Sequence, residues 1–202
     1  MTASQTINGQ LRRVPTWLVY IAGVFPVVWF FYLGFTGGLG PEPIKALEQE
    51  LGRLSLQVLI AVLAVTPLRK YTGISLLNFR RALGLLVFFY VVVHLSVWLF
   101  LDVQIWSQIW ADIVKRPYIT IGMAGLLLMV PLAITSNNLS MRKLGAATWR
   151  KLHKLTYVVA VLGAVHFVIL RKGWQVEPLI YLTIIALLLA TRYVRLPKRQ
   201  FA

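Results

Sequence analysis

Met141–Leu170 reads MRKLGAATWRKLHKLTYVVAVLGAVHFVIL, and its two halves have opposite character. The first half is basic, with Arg142, Lys143, Arg150, Lys151 and Lys154, and it runs without a break into a long apolar segment. His153 sits at the charged end of that segment and His166 deep inside it. The third and last histidine, His94, lies in a second apolar run, LLVFFYVVVHLSVWLFL. A polar ring at membrane depth is costly and marks a functional position by default. Two such rings on separate helices point to a metal or haem held between them.

The bulk composition agrees with a membrane setting. Of the 202 residues 58% are hydrophobic and only 13% charged, half of what a soluble domain carries. There is no cysteine, which removes disulfides, iron–sulfur clusters and thiolate chemistry. The N-terminal stretch lacks the arrangement of a cleavable signal, so the first apolar run is expected to be a mature membrane helix.

A spanning helix needs about 20 mostly apolar residues. Six runs approach this: Thr16 to Phe35, Leu54 to Leu68, Ala82 to Leu101, Pro117 to Thr135, His153 to Leu170 and Pro178 to Tyr193. The expected fold is an all-α integral membrane protein, a six-transmembrane-helix bundle. Residues 1–14 and 196–202 form tails around a membrane domain of 15–195.

The basic residues sort by loop. The N-terminal tail, the loops between runs two and three and between four and five, and the C-terminal tail hold 15 of the 21 Lys and Arg. The other side holds six: Lys45, Arg53, Lys115, Arg116, Arg171 and Lys172. It also holds every acid: Glu42, Glu48, Glu50, Asp102, Asp112 and Glu177. The positive-inside rule then makes both termini cytoplasmic. The net charge of +15 belongs to that inner face, where anionic lipid attracts it, and no nucleic-acid partner is expected.

GGLGPEP opens the longest outer connection and forces a turn; Ile44, Leu47 and Leu51 then recur at helical spacing, as in a short surface helix. Trp106, Trp110 and Tyr118 suit an interfacial aromatic belt. AVTPL…RRALG and AITSN…RKLG echo one another, each leading into a histidine-bearing helix, as a duplicated two-helix unit does.

His94 and His166 lie on helices running in the same direction, at depths that agree to within about one turn. Such a pair can clamp one iron from opposite porphyrin faces, or the rings can be hydrogen-bonded structural groups. His153 precedes His166 by 13 residues, roughly 20 Å along a helix, at the inner boundary. The two rings point about 140° apart on an ideal helix, so either Gly163 permits a distortion or the ligands approach from different sides. Arg80 precedes His94 by 14 residues and so faces the same inner level as His153. It can pair there with haem propionates, flavin phosphate, a quinone carbonyl or lipid headgroups. No nucleophile elbow, phosphate-binding glycine loop or membrane-buried carboxylate pair is present.

GGLGPEPIKALE, AVTPLRK, RRALGLL leading to His94, KRPYITIG and RKLGAATWRKLHKLTY leading to His166 together resemble the MsrQ (YedZ) family. Its wider relatives are the ferric-reductase-like transmembrane proteins. The resemblance covers about residues 15 to 195. It implies a haem b electron-transfer subunit for a periplasmic molybdopterin-containing methionine sulfoxide reductase, with FMN as a further associated cofactor. The donor is then the quinone pool or a cytoplasmic flavin reductase. His94 and His166 become ligands of an outer haem. The wider relatives place two histidines on each of two helices, whereas here Arg80 stands where the fourth would fall. The inner level, with His153 as a third candidate metal ligand, is thus left to a haem, a flavin or a quinone. Two other readings are a quinol-oxidising cytochrome b for another periplasmic reductase and a small transporter or assembly protein with structural histidines.

Overall fold

The computed structural model describes residues 3–171 and 175–194. Lys172, Arg195, Lys198 and Arg199 of the charge partition, and the 196–202 tail, lie outside the described residues. Every regular element described is helical. The order is α1 (Ala3–Arg13), α2 (Thr16–Phe35), α3 (Pro43–Thr72), α4 (Arg80–Val97), α5 (Trp106–Lys115), α6 (Pro117–Ile134), α7 (Asn138–Leu144), α8 (Ala146–Leu152), α9 (Leu155–Leu170) and α10 (Val176–Ala190). Five segments are long and apolar enough to cross a membrane: α2, α3, 77–103 around α4, α6, and α8 with α9. The apolar α10 is shorter, at 15 residues.

Two sequence expectations change. The surface helix at Ile44–Leu51 and the second span are one continuous helix of 30 residues. Leu47 and Leu51 are buried in the packing against α2 and α4, so their stripe faces the bundle. Nor does α3 stop at Leu68, just past Pro67; it runs to Thr72 and ends on Gly73, whose φ of 79° is the left-handed conformation that suits glycine. Proline cannot donate to the carbonyl four residues back, which here is Leu63. That oxygen instead accepts a 2.6 Å hydrogen bond from Nη2 of Arg192, just beyond α10.

The core joins α3, α4, α6, α9 and α10, through Leu59, Leu63, Val87, Met129, Ala160 and Ile185 among others. With lipid outside, close packing replaces water exclusion as the force between helices, which favours small residues at the contacts. Ala160 and Ala164, one turn apart on α9, are both fully buried. On α2 only Val27 is buried, while Trp17, Phe25 and Phe35 stand open on its outer side. The hydroxyl of Tyr90 on α4 ties this helix in by donating to the carbonyl of Gly23 at 2.7 Å.

The two ends of the bundle differ chemically. At one end α1 docks on the loop after α3: Asn8 donates to the Gly73 carbonyl at 2.9 Å and accepts from the Ser75 N–H at 2.8 Å. Lys70 bonds the Val194 carbonyl there. At the other end lie the acids. Arg53 of α3 pairs with Glu50 at 2.5 Å and with Glu177 of α10 at 2.7 Å, and Arg116 pairs with Asp112 at 3.0 Å. The aromatic connection between the third and fourth runs is itself the helix α5, with Ile109 buried and Trp106 and Trp110 exposed. Between α4 and α5 the chain widens into a π-helical turn, Trp98–Val103.

Candidate functional site

The site grows from one histidine on each of two neighbouring helices. His94 of α4 and His166 of α9 have ring centres 6.4 Å apart, with planes 87° from each other. A metal–imidazole bond of about 2.0–2.1 Å on each side, with the ring centre about 1.2 Å behind the nitrogen, requires a separation of about 6.4–6.6 Å. The observed spacing fits a single metal between the rings.

The hydrogen bonds select the tautomers. His94 Nδ1 lies 2.9 Å from the carbonyl oxygen of Glu48 on α3, and His166 Nδ1 lies 2.6 Å from that of Tyr118 on α6. A carbonyl only accepts, so each Nδ1 carries the proton and each Nε2 keeps its lone pair for a metal. A backbone carbonyl holding the remote nitrogen is the usual support of a ligating histidine.

The two half-sites share one construction. The acceptor carbonyl stands four residues before a glycine in both, Glu48 before Gly52 and Tyr118 before Gly122. The histidine follows its acceptor by 46 residues in one case and 48 in the other. This similarity of build, at the acid-bearing end, accompanies the sequence echo at the basic end.

Both rings open onto a cavity of about 340 Å³. Its walls are apolar, with Leu56, Leu59, Val91, Leu126, Met129 and Phe167, and both histidines line it. Lys45, Glu48, Arg53, Asp102 and Arg116 also line it and supply its charge. Among the described residues no three His, Asp or Glu converge as a metal site. Two imidazoles supply only an axis, so the metal that fits must bring its equatorial ligands with it, as in a porphyrin.

His153 is held differently. Helix α8 ends on it, and the chain turns at His153 and Lys154 before α9 begins. The regular helix is interrupted at this turn, and Gly163 lies within the regular part of α9. The His153 ring stacks on Trp149 with centres 3.8 Å apart. Its Nε2 is 3.1 Å from the hydroxyl of Thr135, which itself lies 2.6 Å from the Pro131 carbonyl. With that hydroxyl donating to Pro131, His153 donates from Nε2 and leaves Nδ1 as its free nitrogen, opposite to the other two histidines. Arg80 and Arg81 lie within electrostatic reach of His153, and Arg80 of Arg192. The structure therefore brings His94 and His166 together, and sets His153 with Arg80 at the basic end.

Sequence reasoning missed Glu48, Tyr118, Gly52, Gly122, Thr135 and Trp149. The available signal was a pair of glycines, Gly122 inside an apolar run and Gly52 just before one, each one turn after the residue whose carbonyl is used.

Comparison with known proteins sharpens this picture. Residues 51–164 match the family described as the ferric reductase like transmembrane component. The protein-methionine-sulfoxide reductase heme-binding subunit MsrQ of Brucella ovis is 53% identical over 180 residues, covering 89% of this chain and 81% of the relative. The MsrQ subunits of Brucella canis and Brucella suis give the same figures. The chain belongs to the MsrQ family. The ferric-reductase match contains Arg80, His94 and His153 with Gly52 and Gly122, and it ends two residues short of His166.

Proposed function

We propose that the protein is a haem b electron-transfer subunit of the bacterial inner membrane, delivering electrons to a periplasmic molybdopterin-containing methionine sulfoxide reductase that repairs oxidised envelope proteins. The observation that carries this is the pair His94 and His166, with ring centres 6.4 Å apart and each Nδ1 held on a backbone carbonyl. The heme-binding name of the Brucella relatives supports the choice of metal group.

Bound there, a haem supplies one-electron chemistry between ferric and ferrous iron. His94 and His166 would hold it, and their Nδ1 bonds to the Glu48 and Tyr118 carbonyls fix the ring orientations. The apolar walls keep water from the metal and lower the local dielectric. Arg53 and Arg116 line the same cavity and can face the propionates, although each is already paired with a carboxylate.

The charge partition supports a basic cytoplasmic end, with both termini inward and six crossings, α10 included. Electrons would enter at that end, near Arg80 and His153, from quinol or a cytoplasmic flavin reductase. A haem, FMN or a quinone is the candidate occupant of the inner site. Arg80, Arg81 and Arg192 favour an anionic or carbonyl-bearing group, since every acid of the chain lies in segments of the other end.

Protein purified from haem-replete cells is expected to be red, with a Soret band that shifts on dithionite reduction. His94→Ala and His166→Ala should each abolish the low-spin spectrum. A folded, colourless parent protein would refute the proposal.

A further inference from the structure

The two glycines that follow the acceptor carbonyls are not alike in the space they leave. A Cβ built on Gly122 would stand 2.9 Å from Nδ1 and 3.1 Å from Cε1 of His166. The first contact is shorter than settled Cβ atoms show, and the second is tight. The ring cannot swing away cheaply, because its Nδ1–H is held on the Tyr118 carbonyl at 2.6 Å. On Gly52 the same atom would stand 3.4 Å from Cε1 and 3.5 Å from Nδ1 of His94, which is ordinary contact. The glycines are therefore the floor on which the rings lie, with no slack under His166 and a little under His94.

We infer that Gly122 is a positioning residue for the axial ligand His166, and that Gly52 plays the same part, with more tolerance, for His94. Without a side chain at these points the imidazole reaches the helix surface and donates to the carbonyl one turn earlier. That bond settles which nitrogen carries the proton, and it aims the other at the metal. The glycines thus act on ligation through the histidines and touch no cofactor themselves. The inference rests on the haem reading above, because it assigns His166 and His94 as ligands.

The test uses the full-length protein purified in detergent from haem-replete cells, as parent and as Gly122→Ala, Gly52→Ala and Gly52→Val. Haem content, the ferric low-spin EPR signal, the Soret and α bands and the midpoint potential are read for each. Gly52→Ala is expected to match the parent. Gly122→Ala is expected to lose about tenfold of its low-spin signal per haem, the scale seen when the support of a metal ligand is removed. Added imidazole should restore it by filling the position His166 has left, a rescue that general misfolding would not allow. Gly52→Val, with two more carbons against His94, should behave like Gly122→Ala.

A monodisperse Gly122→Ala protein with the parent's low-spin signal and potential would overturn the inference. If that variant fails to accumulate, the position 52 series decides: a normal spectrum in Gly52→Val overturns it, and loss in Val but not in Ala upholds it. A parent without a low-spin signal would instead overturn the haem reading, so the two failures are distinct.

Discussion

The indole of Trp149 lies nearly flat on the imidazole of His153, with ring centres 3.8 Å apart and planes 25° from parallel. The same indole donates from Nε1 to the carbonyl of Thr135 at 2.8 Å, and the Thr135 hydroxyl meets His153 Nε2. Trp149, Thr135 and His153 thus form a closed clip joining the end of α6 to the end of α8. The clip binds the ring by its face and by Nε2, so His153 sits apart from the paired histidines in both place and tautomer.

From that separation, His153→Ala should leave the low-spin signature of the His94–His166 pair intact. Reduction by an added quinol or by a flavin reductase with its reduced nucleotide should slow by about tenfold or more, through loss of the group's inner contact. Stopped-flow absorbance at the Soret band reads both effects. Loss of the low-spin spectrum itself would show that the two levels are not independent.

Arg192→Ala should destabilise the fold by about 1–3 kcal/mol, because the Leu63 carbonyl then has neither its helical donor nor a substitute. The cost should shrink in a Pro67→Ala background, where residue 67 regains an N–H for that oxygen. Thermal unfolding of the four proteins in one detergent gives the coupling. Equal losses in both backgrounds would sever the link between Arg192 and Pro67.

Ala164→Leu should cost about 1–3 kcal/mol by overpacking, since Ala164 has no exposed surface and sits where helices α3, α6 and α9 share the core. Leu187→Ala, on the open side of α10 at 63% exposure, should change stability little. Detergent melting curves check the contrast.

The orientation has its own test. A fluorescent protein that matures only in the cytoplasm should glow when fused after Ala202, and alkaline phosphatase fused there should be inactive. Phosphatase activity at that position would reverse the assignment of both ends.

How much of this could be read from the residues alone follows from what each feature depends on. The apolar runs, the sorting of Lys and Arg and the matching depths of His94 and His166 are properties of one helix at a time, and spacing carries them. The merger of the Ile44–Leu51 segment with the second span is not. Leu47 and Leu51 have the same helical period whether they face lipid headgroups or α4, and only the partner helix tells which. The run through Pro67 was equally hidden, since its compensation comes from Arg192 at the far end of the chain. Gly122 reads as an ordinary membrane-helix glycine, and Gly52 as a glycine of the charged connection, until the ring lying on each is seen.

The Arg192–Leu63 bond also sets a schedule. The two residues are 129 positions apart in the chain. At a synthesis rate of about 5–20 residues per second, Leu63 is made about 6–26 s before the side chain that completes it. Through that interval α3 holds an unmatched carbonyl, in lipid or in the translocation channel, and an unsatisfied polar group in lipid costs several kcal/mol. The early helices are thus left incomplete until the last one arrives. A ribosome that stalls before Arg192 would release a bundle whose α3 still carries that defect, and it is the arrival of Arg192 that removes it.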